Sequence, residues 1–221
     1  MKTFLSAALI SMVTASAAQA AAVQFETRAF HSNLRLDAKE TTHSINGTEV
    51  GTERVHETFD NTAGGGVAVV FNLDEHLDLG LGYSRARYFP GADVRTDQTM
   101  ISAFSRWTLY QSPATRFYFL AGLTQHDLDS LDTGGRSMTV ESSITPVMNY
   151  DVGLGNMWTF GIANVGLEYK YSNTFGRGNS NATIRTAMLD GNGLVETQIM
   201  SELKHFRIEQ QELSLSLGIT L

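Results

Sequence analysis

The chain of 221 residues contains no cysteine and only three prolines. Without cysteine, no disulfide framework can support the fold, which excludes the small disulfide-rich scaffolds of many secreted proteins. Beyond its first 20 residues the chain also lacks the run of roughly 20 apolar residues that a membrane-spanning helix needs. Any crossing of a membrane must therefore be made by strands, and a large sheet or barrel must supply the stability.

Basic residues are also few. Sixteen Lys and Arg stand against 23 Asp and Glu, which gives a net charge of −7 at pH 7. Because nucleic acids are bound largely through cationic contacts to their phosphates, this balance argues against a nucleic-acid partner.

The first segment, MKTFLSAALISMVTASAAQA, has the features of a secretory signal peptide. Lys2 precedes an apolar stretch too short to span a bilayer as a helix, and Ala18-Gln19-Ala20 has the small-x-small pattern of a cleavage site. The sequence therefore predicts a cleaved signal peptide over residues 1–20 and a single domain over residues 21–221, outside the cytoplasm.

The last ten residues, ELSLSLGITL, alternate strictly between apolar and small or polar side chains. This is the period of a β-strand with one apolar face. Seven further segments have strand character, which gives a predicted total of eight. The predicted strands cover residues 23–30, 64–72, 77–89, 100–110, 117–128, 147–155, 162–172 and 212–221.

The connections between these strands alternate in length. The links after strands two, four and six are short, the sixth lying around Asn156 to Gly161, whereas those after strands one, five and seven are long and polar. Only the link after strand three departs from this alternation. Tight turns at one end and long loops at the other are typical of bacterial outer-membrane barrels, and an even strand number places both termini on the periplasmic side.

Two of the long connections carry hairpin-turn residues near their middle, Asn46-Gly47 in the first and Asp190-Gly191-Asn192-Gly193 in the last. Folding the chain about these points pairs Phe25 with the region of residues 67–69 and the C-terminal strand with the region of Ile162. We therefore expect strands that continue well past the 9 to 11 residues a tilted strand needs to cross the hydrocarbon, so that the barrel protrudes from the cell surface.

Side-chain alternation predicts which face each residue occupies. One face is apolar and predicted to contact lipid, while the other is small or charged and predicted to point inward. The lipid-facing set is Phe25, Val67, Val69, Phe71, Leu77, Leu79, Leu81, Tyr83, Ile101, Trp107, Leu109, Phe117, Phe119, Leu123, Val152, Leu154, Val165, Leu167, Tyr169, Leu213, Leu215, Leu217, Ile219 and Leu221. A soluble sandwich would instead pack its apolar faces together, and the signal peptide, the loop asymmetry and the terminal strand favour the membrane barrel.

The segments GGGVAVVFNLDEHLDLGLGYSRARYF, FYFLAGLT, DVGLG and NVGLEYKYS resemble the small eight-stranded outer-membrane β-barrel family, which includes the OmpA transmembrane domain, OmpX and the opacity proteins. The resemblance implies an all-β, antiparallel up-and-down transmembrane barrel in the outer membrane of a Gram-negative bacterium. It also implies that the terminal strand is read by the barrel-assembly machinery. This assignment falls on Leu213, Leu215, Leu217, Ile219 and Leu221, the last replacing the aromatic residue usual in the family.

The interior of an eight-stranded barrel is only wide enough for side chains to fill it. Charges of both signs are predicted to point into it, and we expect them to pair. The predicted lumen charge network comprises Glu26, Arg28, Asp78, Arg106, Asp151, Glu168, Lys170 and Glu212. Two interpretations remain: an ion-paired plug, which we favour, and a narrow polar path for small solutes.

The sequence predicts no catalytic, cofactor or metal site. A lipid A-modifying enzyme would need a His beside a Ser or a carboxylate, and the candidate pairs are His31-Ser32, His43-Ser44, His56-Glu57 and His126-Asp127. Neighbours in a strand point to opposite faces, so such pairs cannot meet. The six His are scattered without metal-ligand spacing.

Specific recognition is expected in the extracellular hairpins, because exposed loops on a rigid scaffold commonly carry binding function. The polar segments 36–58, 128–146 and 176–206 are the candidates, for an extracellular partner that the sequence does not name. Outer-membrane lipid and lipopolysaccharide are further expected partners, with Arg85, Arg87 and Arg177 placed to contact lipid phosphates. The predicted role is structural or in surface interaction; a narrow porin-like channel is the alternative.

Overall fold

The computed structural model describes residues 22–43, 49–91, 94–128, 132–133, 138–144, 146–175, 182–189 and 195–221. The predicted signal peptide lies outside the described residues, and so do the predicted turns at Asn46-Gly47 and at Asp190-Gly191-Asn192-Gly193. Within the described ranges, no helix has the length and apolar character to cross a bilayer.

The described part of the chain folds into eleven antiparallel strands. They are β1 (Ala22–His43), β2 (Glu49–Asn72), β3 (Leu77–Gly91), β4 (Val94–Gln111), β5 (Thr115–Leu128), β6 (Asp132–Thr133), β7 (Met138–Ile144), β8 (Val147–Phe160), β9 (Ala163–Thr174), β10 (Ala182–Leu189) and β11 (Val195–Thr220).

Eight of these strands close into a ring. Their order is β1-β2-β3-β4-β5-β8-β9-β11, and β11 pairs with β1 to complete the barrel. Phe25 stands opposite Val69 on one side and Ile219 on the other. The backbone N–H of Thr220 donates to the carbonyl of Ile162 at 2.9 Å. The predicted eight-stranded antiparallel barrel and both of its predicted closing registers are therefore confirmed.

Short turns and the two ends of the described barrel lie at the same end of the molecule. Val23 and Leu221 exchange backbone hydrogen bonds there, with the Leu221 N–H donating to Val23 at 2.9 Å. In the turn between β2 and β3, the Asp74 carboxylate accepts hydrogen bonds from the backbone N–H groups of His76 and Leu77, at 2.7 and 2.8 Å. Asp in this position satisfies backbone donors that the strands leave unpaired.

The predicted link around Asn156 to Gly161 is wrong. Strand β8 continues to Phe160, and only Gly161 and Ile162 form the turn. Trp158 pairs with Val165, so the outward alternation of β8 persists to the turn. Gly161 adopts a φ of 66°, a backbone conformation that glycine takes without steric cost, which allows a turn this tight.

The opposite end of the barrel is uneven because some strands continue beyond the ring. β1, β2 and β11 extend for 22, 24 and 26 residues. β10 pairs with the upper part of β11, and β7 pairs with β10, so these two strands prolong β9 and β8. The predicted continuation of the first and last connections as paired strands is confirmed. The result is a tall wall in the order β2-β1-β11-β10-β7.

Two other connections at this end have different geometries. β3 and β4 continue as a hairpin until Gly91 stands opposite Val94, which explains why the link after the third strand is short. The connection that follows β5 contains β6, which pairs with β4, and β7, which pairs with β10. In the described residues, this connection does not fold back on itself as a hairpin.

The two faces of the barrel differ as the alternation predicted. Phe25, Leu154 and Leu215 are about half exposed on the outer face, at 50%, 48% and 51%. Phe71 shares this face by register but is only 8% exposed, because it lies in a shallow groove with Leu79 and neighbouring side chains. The interior of the barrel holds the buried side chains, so the core of this protein is its lumen.

Candidate functional site

The lumen contains several layers of buried side chains, beginning near the short turns. Asp78 on β3 forms a bidentate ion pair with Arg116 on β5, and the Asn72 side-chain amide donates to the same carboxylate at 2.7 Å. Arg116 was not part of the predicted charge network, because the sequence placed it in the turn over residues 111–116. The inward parity of Arg116 with Tyr118 and Leu120 is the signal that identifies it.

The central layer brings together four of the predicted residues. Arg106 Nη2 lies 2.9 Å from Glu26 Oε2, and Arg106 Nη1 donates to the other oxygen of the same carboxylate. Arg28 Nη2 also lies 2.9 Å from Glu26 Oε2. Glu168 lies 3.5 Å from Arg106 and 3.6 Å from Arg28. Two carboxylates and two guanidinium groups from β1, β4 and β9 thus meet in one level; we call these four residues the central quartet.

Aromatic rings flank the central quartet. The guanidinium carbon of Arg106 lies 5.1 Å from the ring centre of Phe104 and 4.9 Å from that of Tyr118, and the guanidinium carbon of Arg28 lies 4.8 Å from the Phe104 ring centre. These distances are within the range of cation–π attraction. The Tyr118 hydroxyl also donates to Glu168 Oε2 at 3.1 Å. Sequence reasoning missed both rings as lumen residues, although their even numbers on β4 and β5 place them inward.

The next layer contains the three remaining predicted charges. Lys170 Nζ lies 3.3 Å from Glu212 Oε2 on the adjacent strand. Asp151 accepts a hydrogen bond from the Thr124 hydroxyl. Asp78 and Arg106, by contrast, are cross-strand neighbours but take different partners, Arg116 and Glu26. The eight predicted charges therefore fall into four separate groups: Asp78 with Arg116, the central quartet, Lys170 with Glu212, and Asp151 with Thr124.

Above these charges, His126 takes part in a chain of buried hydrogen bonds. The Tyr88 hydroxyl donates to Gln98 Oε1 at 2.6 Å, and Gln98 Nε2 donates to His126 Nδ1 at 2.6 Å. Because Nδ1 accepts, the proton of the neutral ring is on Nε2, which lies 3.5 Å from Ser172 Oγ. The Ser32 hydroxyl lies 3.5 Å from the Tyr88 oxygen and extends the chain to β1.

An apolar cluster fills the lumen beyond this hydrogen-bonded chain. Leu34, Met100, Val147 and Ile208 are each almost fully buried within it. The complete cluster is Phe30, Leu34, Ala86, Tyr88, Met100, Val147 and Ile208. The predicted lumen contained only small and charged residues, so this cluster was not predicted. Its signal is present in NLRL at residues 33–36 and RIEQ at 207–210, where the inward residue is apolar and both neighbours are polar.

The residues predicted as a terminal assembly strand face outward, away from the lumen. Leu213, Leu215, Leu217 and Ile219 are all exposed on the outer face of β11, and Leu221 follows its end. β11 lies between β1 and β9, so this strand closes the ring.

The His pairs considered for catalysis are separated where the structure describes their side chains. His31 is exposed, whereas Ser32 is 1% exposed and inside the barrel. His126 is buried, and Asp127 lies on the opposite face of β5. The side chains of His43, His56 and Glu57, and the whole of Ser44, lie outside the described set.

At the outer rim, Arg85 and Arg87 both lie beside Asp97. Arg87 Nε and Nη2 donate to the Asp97 carboxylate at 2.7 and 3.0 Å, and Arg85 Nη2 lies 3.5 Å from it. These hydrogen bonds raise the pKa of the Arg87 guanidinium further above its usual range. Arg177, the third basic residue predicted at the rim, lies outside the described residues.

Among known proteins, this chain is similar to solved structures of outer-membrane barrels. No protein-family model matches the chain, and no curated protein matches it. The crystal structure of the outer membrane protein OprG from Pseudomonas aeruginosa has a TM-score of 0.58 and 11% identity, and the match covers 90% of this chain and 96% of that one. Neisserial surface protein A has a TM-score of 0.53 and 14% identity, with 89% and 96% covered. The chain thus has the fold of the small eight-stranded outer-membrane β-barrels, which its sequence resembled.

Proposed function

We propose that this protein is an integral outer-membrane barrel with a closed lumen and a structural or surface-interaction role. The observation that carries the proposal is the stack of buried side chains across the lumen, from the Asp78–Arg116 pair through the central quartet to the apolar cluster around Leu34 and Ile208. A conducting pore needs a continuous path for water, and each of these layers opposes one.

The outer surface supports insertion into a membrane. On β11 and the residue that follows it, the exposed apolar residues extend from Leu213 to Leu221, and this length matches the 9 to 11 residues with which a tilted strand crosses the hydrocarbon. Lipid contact is the environment in which so many half-exposed Leu, Ile and Phe side chains are stable. By the common topology of this fold, the end with the short turns and both termini faces the periplasm.

The central quartet supports a structural rather than a conducting lumen. Its two arginines balance the charge of both carboxylates and satisfy both oxygens of Glu26, and Arg106, at 1% exposure, has no contact with bulk water. Removing ions from water is costly, and mutual pairing offsets that cost only when the geometry is good. The groups are therefore best explained as a plug that joins β1, β4 and β9 across the barrel.

The tall wall is the proposed recognition surface. In the described residues, positions 49–59 of β2 pair only with β1, and β7 pairs only with β10. Each thus presents a strand edge, and a strand edge can accept an extended segment of a partner protein. Lipopolysaccharide surrounds a wall of this height in an outer membrane, and the terminal strand β11 is the proposed contact of the barrel-assembly machinery.

Single-channel recording in planar bilayers tests the closed lumen. We expect the purified protein to give no stable conductance steps, and a variant with both Arg106→Ala and Phe104→Ala to give none either, because the Asp78–Arg116 pair and the apolar cluster still close the lumen on both sides of the central layer. Stable steps in the unchanged protein that disappear on Arg106→Ala or Glu168→Ala would instead establish the narrow-channel alternative.

Two further measurements test the remaining parts of the proposal. We expect heat-modifiable gel mobility in detergent, and a protein that remains folded in buffer without any amphiphile would contradict membrane insertion. We also infer that the protein has no catalytic role. The mass spectrum of lipid A should then be the same in cells with and without the protein, and a difference would support a lipid A-modifying enzyme.

A further inference from the structure

The charges inside the barrel do not balance. Five described carboxylates point into the lumen, those of Glu26, Asp78, Asp151, Glu168 and Glu212. Four described cations face them: Arg28, Arg106, Arg116 and Lys170. His126 is held as a neutral ring by Gln98, so it adds no charge at neutral pH. One negative charge is left over among the described side chains of the lumen.

The excess charge can be assigned to one residue. Asp78 is paired with Arg116, the central quartet is balanced within itself, and Lys170 contacts Glu212. Asp151 remains. Its carboxylate is 2% exposed, and Oδ2 accepts the Thr124 hydroxyl, whereas Oδ1 has no hydrogen-bond partner among the described residues. A buried carboxylate without a compensating charge costs several kcal/mol.

A second buried group, at the same level of the lumen wall as Asp151, also lacks partners. Gln210 is 1% exposed, and in the described part of the chain neither its amide oxygen nor its amide nitrogen has a hydrogen-bond partner. Ser172 of β9 stands opposite Gln210 of β11 on one side and opposite Asp151 of β8 on the other. The three side chains therefore form one inward row across three adjacent strands. Strands are about 4.8 Å apart, and the concave inner wall brings the tips of such side chains closer together.

We propose that this row binds a single monovalent cation of the size of Na⁺ or K⁺. The protein ligands are Asp151 Oδ1 and the amide oxygen of Gln210. The Ser172 hydroxyl oxygen lies between them in the row but is already occupied, because it accepts from the Asn149 side-chain amide at 3.1 Å and faces His126 Nε2. Carboxylate and amide oxygens are donors that hard cations prefer. One bound charge of +1 makes the described lumen neutral and gives the unpartnered oxygens of Asp151 and Gln210 a ligand at the same time.

A monovalent ion suits this site better than a divalent one. Only one carboxylate in the row is uncompensated, and Lys170, one residue pair along the same wall, already carries a positive charge. A divalent cation would reverse the charge of the site and be repelled by that ammonium group. His126 does not compete for the role, because its two ring nitrogens face Gln98 and Ser172.

The site has a thermodynamic signature that does not depend on whether the lumen conducts. A ligand that binds only the folded state raises the folding equilibrium constant by the factor 1 + [L]/Kd, about tenfold when the ion is present at ten times Kd. Urea unfolding of the detergent-folded protein, compared between NaCl or KCl and the chloride of the bulky cation N-methyl-D-glucamine at equal ionic strength, measures this factor. We expect stability to rise saturably with Na⁺ or K⁺ and not with the bulky cation.

Three variants locate the effect. Asp151→Asn removes the excess charge, and Gln210→Leu removes the amide ligand; both should abolish the cation dependence. Asp78→Asn is the matched control, since it changes the lumen charge by the same amount in another layer and should retain the dependence. Crystals grown with Tl⁺, a heavy substitute for K⁺, should show an anomalous peak between Asp151 and Gln210.

The proposal is overturned if the unchanged protein is equally stable in all three chlorides. It is also overturned if Asp151→Asn keeps the full cation dependence, or if the row between Asp151 and Gln210 shows density without an anomalous Tl⁺ signal, which would identify water. Should Asp151→Asn fail to fold, Gln210→Leu and the Tl⁺ crystals still decide the question.

Discussion

The ring of Phe104 occupies the space that a β-carbon on Gly80 would need. The two residues lie on adjacent strands and face each other across a cross-strand pair, and a β-carbon at position 80 would overlap the far edge of the ring. Tyr118 has the same relationship to Gly155. Because the glycines leave room on the inner wall, the two rings fit there within cation–π distance of Arg28 and Arg106.

This relationship predicts that Gly80→Ala destabilises the barrel. The added methyl forces the Phe104 ring off its position, and overpacking of this kind costs about 1–3 kcal/mol. Urea unfolding followed by gel mobility measures the loss. Gly65→Ala is the control, because a β-carbon there would come no closer than 3.4 Å to its nearest neighbour, and we expect almost no change. Adding Phe104→Leu to Gly80→Ala should recover part of the loss; no recovery would show that ring displacement is not the cause.

Removing one member of the central quartet is predicted to lower the free energy of unfolding strongly. Arg106→Met leaves Glu26 and Glu168 with Arg28 alone, and breaking a buried pair in this way costs about 3–5 kcal/mol. The double variant with Glu26→Gln should be more stable than Arg106→Met, because it removes the uncompensated charge. Unfolding free energies in detergent test both statements.

The rim pair Arg87–Asp97 provides the comparison for this experiment. It is also bidentate, but the Arg87 side chain is 55% exposed, and water screens the attraction within an exposed pair. Asp97→Asn should therefore change stability little. If Asp97→Asn and Arg106→Met had equal effects, burial would not be the source of the quartet's contribution.

A charged substitution on the outer face is predicted to cost more folding free energy near the middle of the bilayer than near its surface. Leu217 lies midway along the apolar stretch from Leu213 to Leu221, opposite Val165 and Thr27. Leu217→Arg should cost about 2–4 kcal/mol when the protein folds into liposomes, whereas Ile162→Arg at the short turn should cost about 0–1 kcal/mol, because charge is tolerated near the interface. Folding equilibria in lipid vesicles measure both, and equal costs would place this face elsewhere than against hydrocarbon.

Substitutions at Gly161 are predicted to lower the free energy of unfolding through backbone strain alone, without any steric overlap of the new side chain. Its φ is 66°, and no heavy atom in the described structure lies within 4 Å of a β-carbon built there. Gly161→Val should therefore cost about 1–2 kcal/mol through the left-handed conformation alone. Gly161→Asn should cost less, since Asn tolerates this region better. Equal losses for the two variants, measured by urea unfolding, would contradict a conformational origin.

Much of the fold could be predicted because strand alternation is a local property. The outward positions of Phe25, Leu154 and Leu215, and the pairing of Phe25 with the region of Val69, follow from period two and from turn residues. The error at residues 156–160 has a local cause as well. Asn156 interrupts the apolar alternation, but it lies within β8, where its side-chain oxygen accepts from the Thr115 hydroxyl at 2.8 Å.

The apolar cluster of the upper lumen was missed for a physical reason. Beyond the apolar part of the outer face, the exterior residues become polar, as at Arg35 and Arg207, and the inward residues Leu34 and Ile208 become apolar. Along one strand, the apolar residues therefore face outward in the lower part and inward in the upper part. The period of two is the same in both parts, so the sequence pattern alone does not show at which residue the apolar side changes.

The sequence by itself determined that this chain forms a closed antiparallel barrel with an apolar exterior, because alternation and turn chemistry act over a few residues. Only the tertiary structure decided which charges meet. Glu26, Arg106 and Glu168 are up to 142 positions apart in the chain, and the ring brings them to one level. Ion pairing depends on distances of a few ångströms across the lumen, and those distances are set by the register and closure of all eight strands together.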